Sequence, residues 1–335
     1  MIPPRHSNLR SIENQNVQES NQSTHLIFIS ASLLKIGKYA FFKSQMKYLI
    51  FARKAQIQFI GQFAFSRCSD LSSIEIPTSI ERIKDWAFFQ TNLESIRFLR
   101  NSKLKEIGQY SFSSCKRLPS IEIPSSVQVI SGYAFHCSSC QSVAFAPNSQ
   151  LETIGEYAFG GCSNLISLEI PSSVNEIGES AFWSAGLQSI SFGMNPQLKK
   201  ISQGLFYRCS GLISMEIPES IEEIGRHAFA KSGLEAITFS PNSRLKSINE
   251  DAFEGCRNLN CVEIPSSVEV IGDCAFKNCA RLMYVLFGSD SKLEFVSKSA
   301  FYGCSKLQNI EYPSSVEFEG DSDYEDEDYW RFSHQ

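Results

Sequence analysis

The sequence predicts a solenoid of short stacked coils, and three periodic series of residues predict it. Phe recurs twelve times, usually after Ala, at positions 41, 65, 88, 112, 135, 159, 182, 206, 229, 253, 276 and 301, with gaps that alternate 24 and 23 and end in a single 25. Pro recurs at 77, 124, 171, 218, 265 and 313, and Asn or Asp at 101, 148, 195, 242 and 290; both series step by 47 and end in 48. A fixed period of this size marks stacked repeats. The unit is therefore a pair of unlike coils, and one array can occupy most of the 335 residues because a solenoid grows by adding units.

Each coil carries a short alternating segment. In one coil type it reads Ile74-Glu75-Ile76, Ile121-Glu122-Ile123 and Leu168-Glu169-Ile170; in the other, Ile96-Arg97-Phe98, Ile190-Ser191-Phe192 and Ile237-Thr238-Phe239. Apolar residues alternating with polar ones are the mark of a strand with one buried face. Pro cannot donate to a ladder, so it ends the strand of the first type. A Leu three residues upstream (Leu71, Leu118, Leu165, Leu212) completes an LxxIxI pattern. The register reaches back to Ile27 and Ile29, then Leu49 and Phe51, and ends at Ile310-Glu311-Tyr312, which makes thirteen strands.

The outer arc of each coil is represented by Val127, Ile130, Ala134 and Phe135. Its Gly (Gly61, Gly108, Gly155, Gly178, Gly225, Gly272) suggests a bend with an unusual backbone angle. Only about 11 residues separate Pro from Phe, too few for a turn and a long helix. The expectation is a turn or short strand, then one or two helical turns around Ala-Phe, with Phe filling the space between layers.

Composition agrees with an extended core: 42% of residues are hydrophobic and 20% charged. The net charge of −5 is concentrated in Glu317–Asp328, where eight of twelve residues are acidic and none is basic. Without those eight charges the body is near neutral, which gives no basic face for nucleic acid. Met1–Arg10 has no apolar core of a signal peptide, and the most apolar stretch, Tyr48–Ala52, is too short to span a membrane. On these grounds alone the expectation is a soluble, cytoplasmic protein.

The pattern LxxIxIPxxVxxIGxxAFxxC, seen at Leu165–Phe182 and Leu259–Phe276, resembles the BspA-like class of leucine-rich repeats over roughly residues 23–316. The resemblance implies a right-handed α/β leucine-rich-repeat solenoid with about 13 parallel strands in one concave sheet and short turns, strands or helical turns opposite. It also implies a non-enzymatic role, often as a cell-surface antigen or adhesin that contacts host or matrix proteins. Residues 1–22 are then a poorly ordered leader, 23–316 the repeat array and 317–335 an acidic, aromatic tail.

Candidate binding residues follow from the strand pattern. The outward central residue is Glu75, Glu122, Glu169, Glu216, Glu263 and Glu311 in alternate coils, with Arg97, Ala144, Ser191, Thr238 and Leu286 between them. Glutamates two strands apart would stand about 9.6 Å apart. They form either an acidic stripe that attracts a basic partner or a solvated residue copied by duplication. Phe28 and Ile50 near the start, and Met283, Tyr284 and Leu286 near the end, place apolar side chains outward. They suggest self-association or capping at the start, and capping by residues 317–335 at the end.

Cys68, Cys115, Cys162, Cys209, Cys256 and Cys304 each follow their Phe by three residues, and the reading is a buried thiol ladder rather than disulfides. Only Cys279 has cysteine neighbours in adjacent coils. The lone CxxC, Cys137 to Cys140, puts Cys140 at the core position of Leu93 and Leu187, which argues against zinc or redox chemistry. The five histidines are scattered, and no phosphate-binding or nucleophile motif appears. No cofactor or metal is expected, and a row of equivalent glutamates lacks the unlike environments of an acid–base pair. The tail either docks on a basic partner or merely solvates the end. Asn21-Gln22-Ser23 fits a glycosylation acceptor. The functional expectation is a protein-binding scaffold, with a self-assembling structural protein as the alternative.

Overall fold

Alternating apolar residues produce strands, and these stack in parallel. The computed structural model describes residues 11–12 and 26–319. The chain divides into two compact units, up to Val174 and from Asn175. In the first unit the four-residue strands are Leu26–Ile29, Tyr48–Phe51, Ser73–Ile76, Ser95–Phe98, Ser120–Ile123, Ser142–Phe145 and Ser167–Ile170. In the second they are Ser189–Phe192, Ser214–Ile217, Ala236–Phe239, Cys261–Ile264 and Tyr284–Phe287. Opposite them run short parallel strands such as Lys35–Ile36, Phe59–Ile60 and Arg82–Ile83 in the first unit and Lys200–Ile201, Glu223–Ile224 and Ser247–Ile248 in the second.

The two coil types differ in how they pair. A first-type strand pairs with its successor along all four residues, as Ser73–Ile76 does with Ser95–Phe98 and Ser214–Ile217 with Ala236–Phe239. A second-type strand meets the next through one residue, Tyr48 with Ser73 or Ala236 with Cys261. The link after a second-type strand is longer and passes through Asn101 and Asn148 in the first unit, at φ 59° and 58°. Asn tolerates this left-handed conformation, which accounts for its 47-residue recurrence there.

This unequal pairing corrects the expected single sheet. Leu26–Ile29 to Ser95–Phe98 form one four-stranded ladder and Ser120–Ile123 opens another; Ser214–Ile217 to Tyr284–Phe287 form a four-stranded ladder in the second unit. The thirteenth coil is present, but Ile310-Glu311-Tyr312 is not a strand.

The helical turns are also corrected: among the described residues there is no helix, so the solenoid is all β rather than α/β. The Ala-Phe segment shows why. Ala64, Ser66 and Cys68 donate their N–H groups to the carbonyl three residues back, while Phe63, Phe65 and Arg67 donate to Asp85, Ala87 and Phe89 of the next coil. Phe63 and Arg67 have φ of 56° and 58°, which no right-handed helix accommodates. Half of the backbone donors are thereby committed between coils.

Glycine serves close approach rather than an unusual angle at Gly61 and Gly155. A Cβ on Gly61 would lie 2.4 Å from the Gly37 carbonyl carbon, and one on Gly155 would lie 2.4 Å from the Gly132 nitrogen. Neither has positive φ.

The core is a column of Phe rings. Phe41, Phe65, Phe88, Phe112, Phe135 and Phe159 stack with centroids 5.1–5.3 Å apart, and Phe182 to Phe301 continue the pattern within the second unit at 5.0–5.7 Å. Ser11–Ile12, inside the segment assigned as a leader, pairs with Lys35–Ile36. Glu317–Glu319 pairs with Phe295–Ser297, on the short-strand side. These tail residues therefore leave Tyr284 and Leu286 exposed on the long-strand face. Asn21-Gln22-Ser23 and the acidic run from Gly320 onward lie outside the described residues.

Candidate functional site

The long-strand face carries the sequence-derived candidates. Glu75, Arg97, Glu122, Glu169, Glu216, Glu263 and Glu311 are all exposed, and at Glu75, Glu122, Glu169, Glu216 and Glu263 strand alternation buries the residues on either side. Strand register sets Glu75 opposite Arg97, Glu122 opposite Ala144, Glu216 opposite Thr238 and Glu263 opposite Leu286. The Arg97 guanidinium lies 3.4 Å from Glu75, so the acidic row is partly neutralised at that point. Ala144, Thr238 and Leu286, opposite Glu122, Glu216 and Glu263, carry no charge.

In the second unit a groove of about 720 Å³ lies beside Glu216 and is lined by Phe192, Asn195, Glu219, Ser240 and Arg244, among others. Ser240 donates to Glu216 Oε1 at 3.2 Å, and Arg244 pairs with Glu219 at 3.3 Å. Ser220 also lines this groove. Its counterparts Ser126, Ser173 and Ser267 donate to the carbonyls of Leu104, Leu151 and Leu245 in the preceding coil. The Ser220 hydroxyl is buried and lacks a partner. The loop before it reads Gly193-Met194-Asn195-Pro196, with Pro196 where other second-type coils have Ser149 or Ser243.

The cysteines are packing groups. Cys68, Cys115 and Cys162 donate to the carbonyls of Phe41, Phe88 and Phe135, and Cys209 and Cys256 to those of Phe182 and Phe229. Burial pushes all five thiols up to about 12, so they stay protonated and unreactive. Thr91, Ser138 and Ser232 fill the intervening coils, each 3.3–3.4 Å from a ladder thiol. Cys279 and Cys304 donate to the carbonyls of Phe253 and Phe276, and the neighbouring Cys304 thiol together with burial raises the Cys279 thiol. Cys140 is buried and pushed up to about 11, again by burial, in keeping with its core position.

A second column, two residues before each core Phe, escaped sequence reasoning. In the first unit Tyr39, Phe63, Trp86, Tyr110, Tyr133 and Tyr157 stack with centroids 4.0–5.6 Å apart. All six are half-buried and have φ between 48° and 61°. In the second unit the column reads Ser180, Gly204, His227, Asp251, Cys274 and Ser299. His227 Nε2 lies 3.7 Å from Asp251 Oδ2, and Glu254 is in the same turn, with Lys231 Nζ 3.5 Å from its carboxylate. Burial raises the Asp251 carboxyl, a shift that His227 opposes. The hydrogen bond to Tyr207, then Glu254, raises the Lys231 ammonium. Reading the Phe series two positions upstream would have found both groups.

Comparison with known proteins agrees with this architecture. Parallel strands of this length, joined by turns and stacked coil on coil over an apolar column, define a leucine-rich-repeat solenoid. The sequence matches the BspA type leucine rich repeat region (6 copies) over residues 4–103, 35–150, 90–212, 135–245 and 240–326. The chain belongs to the BspA-type leucine-rich repeat family. Among solved structures it is similar to a leucine-rich repeat protein from Bacteroides ovatus, at 23% identity and TM-score 0.61, covering 88% of this chain and 83% of that one. A leucine-rich repeat protein from Eubacterium ventriosum is similar at 19% identity and TM-score 0.51, covering 88% of each chain. The pneumococcal vaccine antigen PcpA is similar at 22% identity and TM-score 0.47, covering 80% and 79%. None of the curated proteins matches.

Proposed function

We propose that the protein is a non-enzymatic scaffold that binds a macromolecular partner, a basic protein segment, across its long-strand face. The observation that carries this reading is the exposed carboxylate at the centre of every first-type strand from Glu75 to Glu263. Within each unit, like charges on an open face raise the local concentration of a cationic partner and speed its encounter. The groove at Glu216, with Asn195, Glu219 and Arg244 in its lining, offers polar groups for a more specific contact. The carboxylates are all solvent-exposed, and none has the burial that sets an acid apart from a base. Membership of the family favours a role as a surface antigen or adhesin; protease shaving of intact cells tests display.

Binding of a Lys/Arg-rich probe peptide, followed by fluorescence anisotropy at low salt, tests the face itself. The parent protein for this measurement has its acidic residues 321–328 neutralised, which removes the tail as a competitor. Changing Glu122, Glu169 and Glu216 to Gln is expected to weaken binding severalfold, and raising the salt to shorten the Debye length weakens it further. Unchanged affinity in the triple variant would overturn the reading.

A further inference from the structure

We propose that His227, Asp251 and Glu254 form a divalent-metal site suited to Zn²⁺ at the turn corner of the second unit. One donor atom from each residue lies within 4.8 Å of the other two, and all three side chains are half-buried. Their meeting follows from the fold. His227 and Asp251 occupy successive coils of the column that stacks aromatics in the first unit, with φ of 52° and 54°. That conformation brings neighbours in the column together, as it does for Tyr133 and Tyr157, whose rings are 5.0 Å apart. Glu254 follows Asp251 by three residues, so the same turn supplies two ligands.

The donor set has the chemistry of a borderline cation. One imidazole and two carboxylates provide three protein ligands, and a fourth position is left for water. Calcium prefers six to eight oxygens and magnesium a near-octahedral oxygen shell, so the imidazole turns selectivity towards zinc. Bonds of about 2.0–2.2 Å in a tetrahedron set donors about 3.3 Å apart. The 3.7 Å between His227 Nε2 and Asp251 Oδ2 is close to that separation. The Glu254 carboxylate has an oxygen within 4.8 Å of both. His227 Nδ1 is buried with no hydrogen-bond partner, so coordination through Nε2 leaves its N–H unsatisfied, which sets the expected affinity below that of a site whose imidazole is held by an acceptor. Lys231, 3.5 Å from Glu254 and 3.4 Å from the Tyr207 hydroxyl, supplies the positive charge at the site. A bound dication would take its place.

Calorimetric titration of the reduced full-length protein with ZnCl₂ tests the site. The wild type is expected to bind one equivalent at this site. His227→Ala combined with Asp251→Asn should weaken that binding by at least about tenfold, while the metal-free melting temperature shows whether the variant is folded. Lys231→Met should tighten binding severalfold by removing the competing ammonium, a gain that misfolding cannot mimic. Cobalt substitution should give a spectrum without the sulfur charge-transfer band of a thiolate site. The proposal is overturned if zinc produces neither heat nor a melting shift, if the double variant binds as the wild type does, or if cobalt reports thiolate ligation.

Discussion

The two units use one core and two different corners. Both keep a column of buried, parallel Phe rings, at 5.1–5.3 Å in the first unit and 5.0–5.7 Å in the second. Two residues upstream, the first unit stacks six half-buried aromatics from Tyr39 to Tyr157, whereas the second brings His227 and Asp251 together, beside Glu254 of the same turn. The core column is closed on all sides, so a change of shape there leaves a void or a clash. The corner column is partly solvated and tolerates either stacked rings or charged groups. Repetition therefore preserves the core while the corner carries what distinguishes one unit from the other.

The sharpest way to break this comparison is to truncate one residue in each column. Phe135→Ala should cost about 3–5 kcal/mol in urea unfolding, because it removes a buried ring and leaves a cavity. Tyr133→Ala, in the same turn, should cost about 1 kcal/mol, the scale of lost stacking at a half-solvated site. Equal costs would show that the corner is as closely packed as the core.

The thiol ladder gives a second large effect, through pH. Its five thiols are raised from 9.0 to about 12 in the folded state. The unfolded chain therefore loses these protons first. Their contribution is complete below about pH 9 and disappears as pH rises towards 12. Thermal melts across that range should show the melting temperature falling, and Cys115→Ala should reduce the dependence. A melting temperature independent of pH between 9 and 11 would contradict the buried, protonated state.

A smaller effect would sharpen the corner comparison. His227→Tyr with Asp251→Tyr would rebuild an aromatic pair in the second unit. Stacking should contribute about 0.5–1.5 kcal/mol of stability and zinc binding should be lost. Destabilisation would mean that the two corners are not interchangeable in geometry. The smallest effect is expected on the strand face, where Glu122→Gln with Glu169→Gln should change stability by no more than about 0.5 kcal/mol in chemical denaturation. A larger loss would make the glutamates structural.

Particular residues show what was legible in the chain. The 24/23 alternation of Phe identified two coil types, and alternation around Glu75 and Glu122 assigned the faces of the strands, all of which the structure reproduces. The buried positions of Cys68 and Cys140 were legible too, the first because Cys recurs three residues after alternate Phe, the second because Cys140 sits at the position of Leu93 and Leu187. The Ala-Phe segment was misread as helical. Its apolar spacing suits a helix, while its backbone hydrogen bonds, from Phe63 to Asp85 and from Phe65 to Ala87, run to a coil about 22 residues away. Local pattern holds no trace of that partner. His227 was read as one of five scattered histidines, and Asp251 and Glu254 drew no reading, for the same reason: 24 residues separate His227 from Asp251 in the chain and one coil separates them in space.

The sequence by itself determined the period, the coil pairing, the buried columns and the exposed carboxylate row, because each depends on repetition and on side-chain alternation within a single strand. The tertiary structure alone decided which strands share a full ladder, that the outer arc is β rather than helical, and which corner residues meet. Those outcomes depend on the register between coils, that is, on contacts between residues more than twenty positions apart in the chain, which no local pattern encodes.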